Sequence, residues 1–337
     1  MLSCDLFREK RDTDVRFKKS SDLFILVITL LAYGCPRKAI EVAFGLAEQT
    51  VRDWERKAGE HCHQLHDHLV LSQSFDLQQV QADEIKVKGQ AGSFWLAMGM
   101  MVSTRLWLGA AISRKRDMVL IQRLADQIRQ MALYRPLLLA VDGLASYLSA
   151  FRKAFRTSVK TGGPGAPRKV AWEQVNIVQV VKSAPGKGWS ISRRLVQGSF
   201  DQVETLIQLS QGGGMINTAF IERLNATFRQ RLAMLSRKSR TVVVQQKTLE
   251  QLTMLIGCIY NFCTPHQSLR MTLELPRSSK RRFRSRHIQR TLAMAARLTD
   301  HCWTVMELLS FKVPTEYCPP KKRGRKPKIR CDFCSIT

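Results

Sequence analysis

Three carboxylates in this 337-residue chain occupy places where they could do chemistry: Asp83 in QVQADEIKV, Asp142 in LLLAVDG and Glu222 in NTAFIERLNATFRQR. The two Asp residues end strand-like runs, and Glu222 is the single acid on a helical stretch that is otherwise apolar, polar and basic. Two acids at strand ends and a third on a later helix suit a two-metal phosphoryl-transfer site. Mg²⁺ takes hard oxygen ligands and keeps several of its waters, so a few carboxylates suffice to hold it. Arg229 lies seven residues beyond Glu222, a spacing that puts both on one helical face.

Each acid taken alone also has an ordinary reading. Asp142 followed by Gly143 is a common turn former. Asp83 beside Glu84 could be a solvated edge pair, and Glu222 beside Arg223 a weak surface ion pair. What favours chemistry is the occurrence of all three in order on suitable elements. Glu84 alternates to the opposite strand face from Asp83 and is not assigned to a metal.

The elements that must position these acids are legible in the patterning. From Leu77 to Lys115 the runs DLQQVQADEIKVKG, SFWLAMGMMVST and RLWLGAAISRK read as an antiparallel meander. Residues 117–132 have helical periodicity through Val119, Ile121, Leu124, Ile128 and Met131. PLLLAV is a continuous apolar run bounded by Pro136 and Gly143, as a buried central strand requires. LASYLSAFRKAF then reads as a helix, TGGPGAPR as a loop and VAWEQVNIVQVVK as one more strand. An insertion between Val181 and Thr218 would hold a hairpin in WSISRRLV, a short helix and the loop QGGG. The Glu222 helix should continue to about Leu235, and a longer helix should span about 246–262. This order, β-β-β-α-β-α-β-α, is that of an α/β, ribonuclease H-like mixed sheet flanked by helices.

Charge identifies the partner class. Lys and Arg number 54 against 27 Asp and Glu, a formal net charge of +27, and the pI is near 10.3. Such a balance points to a polyanion, of which nucleic acid is the commonest. No apolar run reaches the roughly 18–20 residues needed to span a membrane. The run Leu23–Tyr33 has the length of a signal-peptide core, but Asp5, Glu9, Asp12, Asp14 and Asp22 precede it and Pro36 follows. Nine cysteines, mostly in apolar or helical contexts, fit reduced thiols in a cytosol better than a disulfide framework. The chain is therefore expected to be cytoplasmic.

Before the sheet, residues 21–60 read as three short helices, the second starting at Pro36 and the third at Glu48 beyond the GLA turn. Two helices joined by a tight Gly-containing turn make a helix-turn-helix, whose second helix can enter the major groove. Gln49, Arg52 and Arg56 would face DNA while Val51 and Trp54 pack inward; an ordinary three-helix bundle is the alternative. His61, Cys62, His63, His66 and His68 are dense enough to suggest a metal cluster. Without a second ligand pair at finger spacing, a histidine-rich linker helix is the better reading. Beyond Pro276, sixteen Lys or Arg face four Asp or Glu. In the tract KKRGRKPK, residues Lys321, Lys322, Arg323 and Arg325 would add phosphate contacts without reading sequence. The resulting organisation is a basic arm over 1–20, a helix-turn-helix and linker over 21–70, a core over 75–270 and a basic C-terminal extension over 271–337.

Together ADE at Asp83, VDG at Asp142 and NTAFIERLNATFRQRLAMLSRKSR around Glu222 resemble the DDE transposases of bacterial insertion sequences, members of the ribonuclease H-like integrase/transposase superfamily. YNFCTPHQSL (Tyr260–Leu269) resembles the segment that closes the catalytic core in several such families, and AMAARLTDHCWTVMELL the tail of one subgroup. The resemblance covers roughly residues 20–310, with the Glu222 helix its most specific part. It implies that Asp83, Asp142 and Glu222 hold two Mg²⁺ or Mn²⁺ ions. It further implies that Arg229, with Arg231 beside it, lies against the DNA end. The implied activity is cleavage at element ends followed by transfer of a 3′-hydroxyl into target DNA, by a dimer or higher oligomer. The resemblance to bacterial sequences alone implies a prokaryotic, nucleoid-associated setting. Two departures stand out: many relatives carry an N-terminal cysteine zinc finger where this sequence shows a helix-turn-helix-like segment, and Lys326 interrupts the AT-hook-like tract between Arg325 and Pro327. The other functions compatible with the same residues are a domesticated copy that only binds DNA and a ribonuclease H-like nuclease without strand transfer.

Overall fold

A computed structural model describes residues 21–160, 166–183, 190–273 and 286–314. The arm over 1–20, the basic tract with Lys321, Lys322, Arg323 and Arg325, and the Cys331/Cys334 pair lie outside the described residues. Three strands form the meander: β1 (Gln79–Gly89), β2 (Gly92–Met101) and β3 (Trp107–Ser113). Both of its pairings are antiparallel. The buried strand β4 (Leu137–Asp142) lies parallel to β1 on one side.

The segment VAWEQVNIVQVVK does not form one strand. Trp172 turns inward and is buried between Phe155 and Tyr134, which breaks the run. Its first part pairs with Arg156–Val159 as a separate antiparallel ribbon, here β5 (Arg156–Val159) and β6 (Arg168–Ala171). Its second part, β7 (Val175–Ser183), runs parallel to β4. WSISRRLV likewise forms no hairpin of its own. It supplies β8 (Ser190–Gln197), which pairs antiparallel with β7 as an edge of the main sheet. The outcome is a mixed six-stranded sheet in the order β3-β2-β1-β4-β7-β8.

Helices cover both faces. The helices α1 (Ser21–Ala32), α2 (Arg37–Phe44) and α3 (Glu48–His66) precede the sheet. Gly45 closes α2 in the left-handed conformation (φ 61°), where the lack of a Cβ removes the steric penalty. The histidine-rich segment continues α3 rather than forming a separate linker, and it ends in a wide π-helical turn, Asp67–Leu71. α3 packs along α8 (Gln246–Cys258), where Gly59 lets the backbone of Gln251 approach. Phe24, Val27 and Ile28 of α1 belong to the same buried cluster as the central strands.

On one sheet face lie α4 (Met118–Met131) and α5 (Ala145–Ala154). The Asp117 side chain caps α4 by accepting from the Leu120 N–H at 3.1 Å. On the other face, α6 (Phe200–Leu209) packs its Val203, Leu206 and Ile207 against Leu138, Ala140 and Val178. α7 (Ala219–Arg231) continues that layer. It stops four residues before Leu235, because Leu232 turns extended (φ −116°, ψ 104°) into a short 3-10 turn. The last turn of the next helix also departs from expectation. It widens over Ile259–Cys263 and lets Asn261 bond the backbone N–H and C=O of Trp107, at 3.0 and 2.9 Å. No helix among the described residues is long and apolar enough to cross a membrane. The described cysteines, Cys35, Cys62, Cys258, Cys263 and Cys302, are free thiols.

Candidate active site

The parallel register of β1 and β4 ends at Ala82 opposite Val141, so Asp83 and Asp142 come next, on neighbouring strands where the two part. Asp142 ends β4 as expected, whereas Asp83 does not end its strand, because β1 continues past it to Gly89 paired with β2. The segment after Asp142 must pass close to β7. A Cβ on Gly143 would meet Val181 Cγ2 at 3.0 Å, a tight contact that glycine avoids. The turn-forming reading of Asp142 is realised as well, since its Oδ1 accepts from the Leu144 N–H at 2.9 Å. Its Oδ2 remains for the cleft and accepts from Arg116 at 3.0 Å.

Glu222 is brought to the same place by an interaction that patterning does not reveal. The first N–H groups of a helix have no intrahelical partner, and Thr218 gives α7 no side-chain cap. The buried Gln81, two residues before Asp83 on the same strand face, fills this role. Its Oε1 accepts from the N–H groups of Phe220 and Ile221, both at 3.0 Å, and its Nε2 donates to the Asn217 carbonyl at 2.8 Å. The strand that carries Asp83 thus docks the helix that carries Glu222.

These elements enclose an open cleft of about 800 Å³ lined by Asp83, Asp142, Glu222, Asn225, Arg229 and Lys182, among others. All three sequence-selected acids therefore share one site, with Arg229 beside them. Asn225, absent from the sequence selection, is buried and donates from Nδ2 to Asp83 Oδ2 at 2.7 Å. Its position three residues after Glu222 is the signal that could have found it. Asn225 Oδ1 and Arg229 Nε are buried without partners.

Arg231 does not join this face. It is buried, bonds Thr264 Oγ1 at 3.2 Å and stacks its guanidinium over Tyr33 at 4.7 Å. At about 100° per residue it lies on the side of α7 away from Arg229, so its placement among the DNA contacts is corrected. Gln49, Arg52 and Arg56 do lie on the exposed side of α3, engaged with Asp53, Glu48 and Glu60 respectively. Val51 is buried and Trp54 packs edge-on against Phe24. The histidines of α3 diverge: His61 meets the Leu308 carbonyl at 3.0 Å, while His66 packs on the Trp107 ring.

Among the described residues, the tightest acid group is Asp83, Glu84 and Asp142, with one carboxylate oxygen of each within 4.8 Å of the others. Glu222 stands outside this group and is held by Lys182 and by Thr218 Oγ1, the latter at 2.7 Å. Glu84 does point to the opposite sheet face, as strand alternation requires. There it accepts from the Tyr147 hydroxyl at 2.7 Å and from Arg116, which also reaches Asp142. Its proximity to the two Asp residues thus comes with a structural partner set of its own.

Burial pushes the Asp83 carboxyl up to about 7, opposed by the Glu84 N–H and reinforced by the charges of Glu84, Asp142 and Glu222. Burial would also raise Glu222, but hydrogen bonds from Lys182 and Thr218 outweigh it and hold this carboxyl below its ordinary range. Arg229 is lowered, by burial first and then by Arg237. The donor set suits a hard divalent cation: several carboxylate oxygens, a buried amide oxygen without a partner, and one carboxyl whose charge is costly as it stands.

A pH-dependent prediction follows. Because Asp83 titrates near 3.8 when free and about 7 here, its contribution favours the fold below the lower value and is lost as pH rises through the upper one. A cation beside Asp83 offsets that loss. Millimolar Mg²⁺ should therefore raise Tm more at about pH 8 than at about pH 5.5. Thermal melts at the two pH values check this, and equal shifts would speak against Asp83 as a ligand. A second open cleft, about 860 Å³, is lined by Met271, Ile288, Arg290 and Met294 and has no such convergence of carboxylates. Comparison with protein-family models and with curated proteins finds no match for the chain.

Proposed function

We propose that the protein is a DNA transposase that cleaves element ends and transfers the resulting 3′-hydroxyl into target DNA. The observation that carries the reading is the convergence of Asp83, Asp142 and Glu222 on one cleft, in a chain of net charge +27. The strand order, three antiparallel strands followed by two parallel ones, is what a ribonuclease H-like core would have. Asp83, Asp142 and Glu222 would hold two Mg²⁺ or Mn²⁺ ions. Such ions lower the pKa of an attacking water and stabilise charge on the entering and leaving oxygens.

The chain's own residues orient and grip. Asn225 fixes Asp83, and Gln81 fixes the helix start, so the acids are held before substrate arrives. Arg229 and Arg237 offer cations on the same wall for phosphate oxygens. In the first step water displaces the 3′ oxygen from the scissile phosphorus and leaves a 3′-hydroxyl. In the second the oxygen of that hydroxyl bonds to a target phosphorus and displaces the 3′ oxygen of the target strand, which leaves with the proton the attacking hydroxyl gives up. No covalent protein–DNA intermediate is required, in keeping with a cleft in which no serine or tyrosine is among the described lining residues. α2 and α3 would bind the element end through Gln49, Arg52 and Arg56, as a helix-turn-helix does.

The test is incubation of the purified chain with Mg²⁺ and duplexes taken from the boundaries of its own gene segment. Cleavage at one defined junction and joined products are expected. Cleavage without joining would favour a nuclease, and specific binding without cleavage a DNA-binding protein alone. Arg229 gives a finer prediction. Arg229→Ala should slow cleavage roughly tenfold at moderate salt, with partial rescue at low salt or high substrate, because a lost phosphate contact weakens positioning. Rates measured across a salt series check this. Unchanged rates at moderate salt would leave Arg229 as helix decoration.

A further inference from the structure

We propose that Lys182 is an exchangeable cation: it neutralises Glu222 in the metal-free cleft and passes to a DNA phosphate when a divalent ion takes Glu222. The inference rests on the reading of the cleft as a metal-dependent DNA site. Lys182 lies on β7 two residues beyond Val180, the register partner of Asp142, so the strand delivers it to the cleft just past that acid. Its Nζ donates to Glu222 Oε1, and Glu222 is otherwise held by Thr218.

The cleft contains two cations on acids, and they differ in kind. Arg116 bridges Glu84 and Asp142 with its guanidinium about 5.1 Å from the Trp95 ring centre, and the Glu84 side chain is only 1% exposed. Moving Arg116 would strand a buried carboxylate, so it stays. The Lys182 and Glu222 side chains are 40% and 44% exposed, and a pair so open to water separates at little cost. Chemistry points the same way: the Arg fork suits a fixed two-acid bridge, whereas Lys is a hydrated point charge on a flexible stem.

A divalent ion on Glu222 would weaken its hold on Lys182, since the single charge of the carboxylate would then be shared between two cations that repel each other. Binding of one must weaken binding of the other by an equal factor. The displaced ammonium stays in a cleft also lined by Arg229 and Arg237. There the anion to meet is a phosphate of the strand being cut. Metal loading would thereby strengthen the DNA grip beyond what the metal itself supplies.

Lys182→Met removes the charge and keeps an unbranched stem. Mn²⁺ binding, titrated by electron paramagnetic resonance on the full chain without DNA, should tighten about fivefold to tenfold. Affinity for duplex DNA in saturating Mn²⁺ should fall several-fold and lose about one phosphate contact from its salt slope. Without metal the DNA affinity should barely change. Lys182→Arg should restore metal-dependent DNA affinity. Opposite signs for metal and DNA are the signature, because a merely structural lysine would lower both. Wild-type protein that binds Mn²⁺ and cleaves DNA while Lys182→Met binds Mn²⁺ no more tightly overturns the exchange alone. Wild-type protein without Mn²⁺ binding sensitive to Asp142→Asn overturns the metal-site reading beneath it.

Discussion

Asp142→Asn is expected to cut strand cleavage by roughly 10²–10³-fold or more, the scale on which a preorganised electrostatic group contributes to a transition state. Binding to the same duplex should change little. The two oxygens of Asp142 explain the separation. Oδ1 serves the backbone, accepting from Leu144, and an asparagine oxygen can keep that bond. Oδ2 faces Arg116 and the cleft, and there the substitution removes the negative charge that would hold a cation. Folding should survive, which thermal melting checks. In the proposed function phosphate would be gripped by cations on the walls, so loss of an acid would leave that grip in place. Asp83→Asn and Glu222→Gln should behave alike, and neither should be rescued by low salt, in contrast to Arg229→Ala. Wild-type cleavage by Asp142→Asn in Mg²⁺ would falsify the assignment.

Much of this arrangement was legible in the chain because period and position carry it. The alternation of β1 and the continuous apolar run of β4 place two acids on neighbouring central strands, although β1 runs on to Gly89 rather than ending at Asp83. The spacing of Glu222 and Arg229 then puts the helix residues on one face. What escaped was interaction between distant segments. Gln81 reads as an ordinary polar residue in a strand, yet it supplies the cap that α7 lacks. Arg116 sits in a charge run, RKR, that gives no sign of a bridge to Glu84 and Asp142. Trp172 broke an expected strand because aromatic packing outweighed strand propensity. Arg231 was a different failure: its angular position, about 200° around the helix from Arg229, already argued against the DNA face.

Arg116→Met is expected to destabilise the fold by about 3 kcal/mol, the low end for breaking a buried pair from one side. The low end applies because the Arg116 side chain is 36% exposed and its charge is partly solvated, whereas Glu84 is 1% exposed. The cost is therefore that of the carboxylate left behind. Burial already pushes Glu84 above its ordinary range, and Arg116 is among the groups that oppose this. Without Arg116 the carboxyl should take up a proton, so the loss should be larger above neutral pH than near pH 5. Glu84→Gln added to Arg116→Met should recover much of the stability, because a neutral amide oxygen can still accept from Tyr147. Arg116→Lys should recover only part, since a point charge cannot span Glu84 and Asp142 as the fork does. Urea denaturation of the single and double variants measures the coupling, expected at about 2 kcal/mol. A loss below about 1 kcal/mol for Arg116→Met, with nothing regained on adding Glu84→Gln, would mean that Glu84 is held by Tyr147 alone. Arg116 would then be free to leave the acids, and the contrast drawn with Lys182 would fail with it.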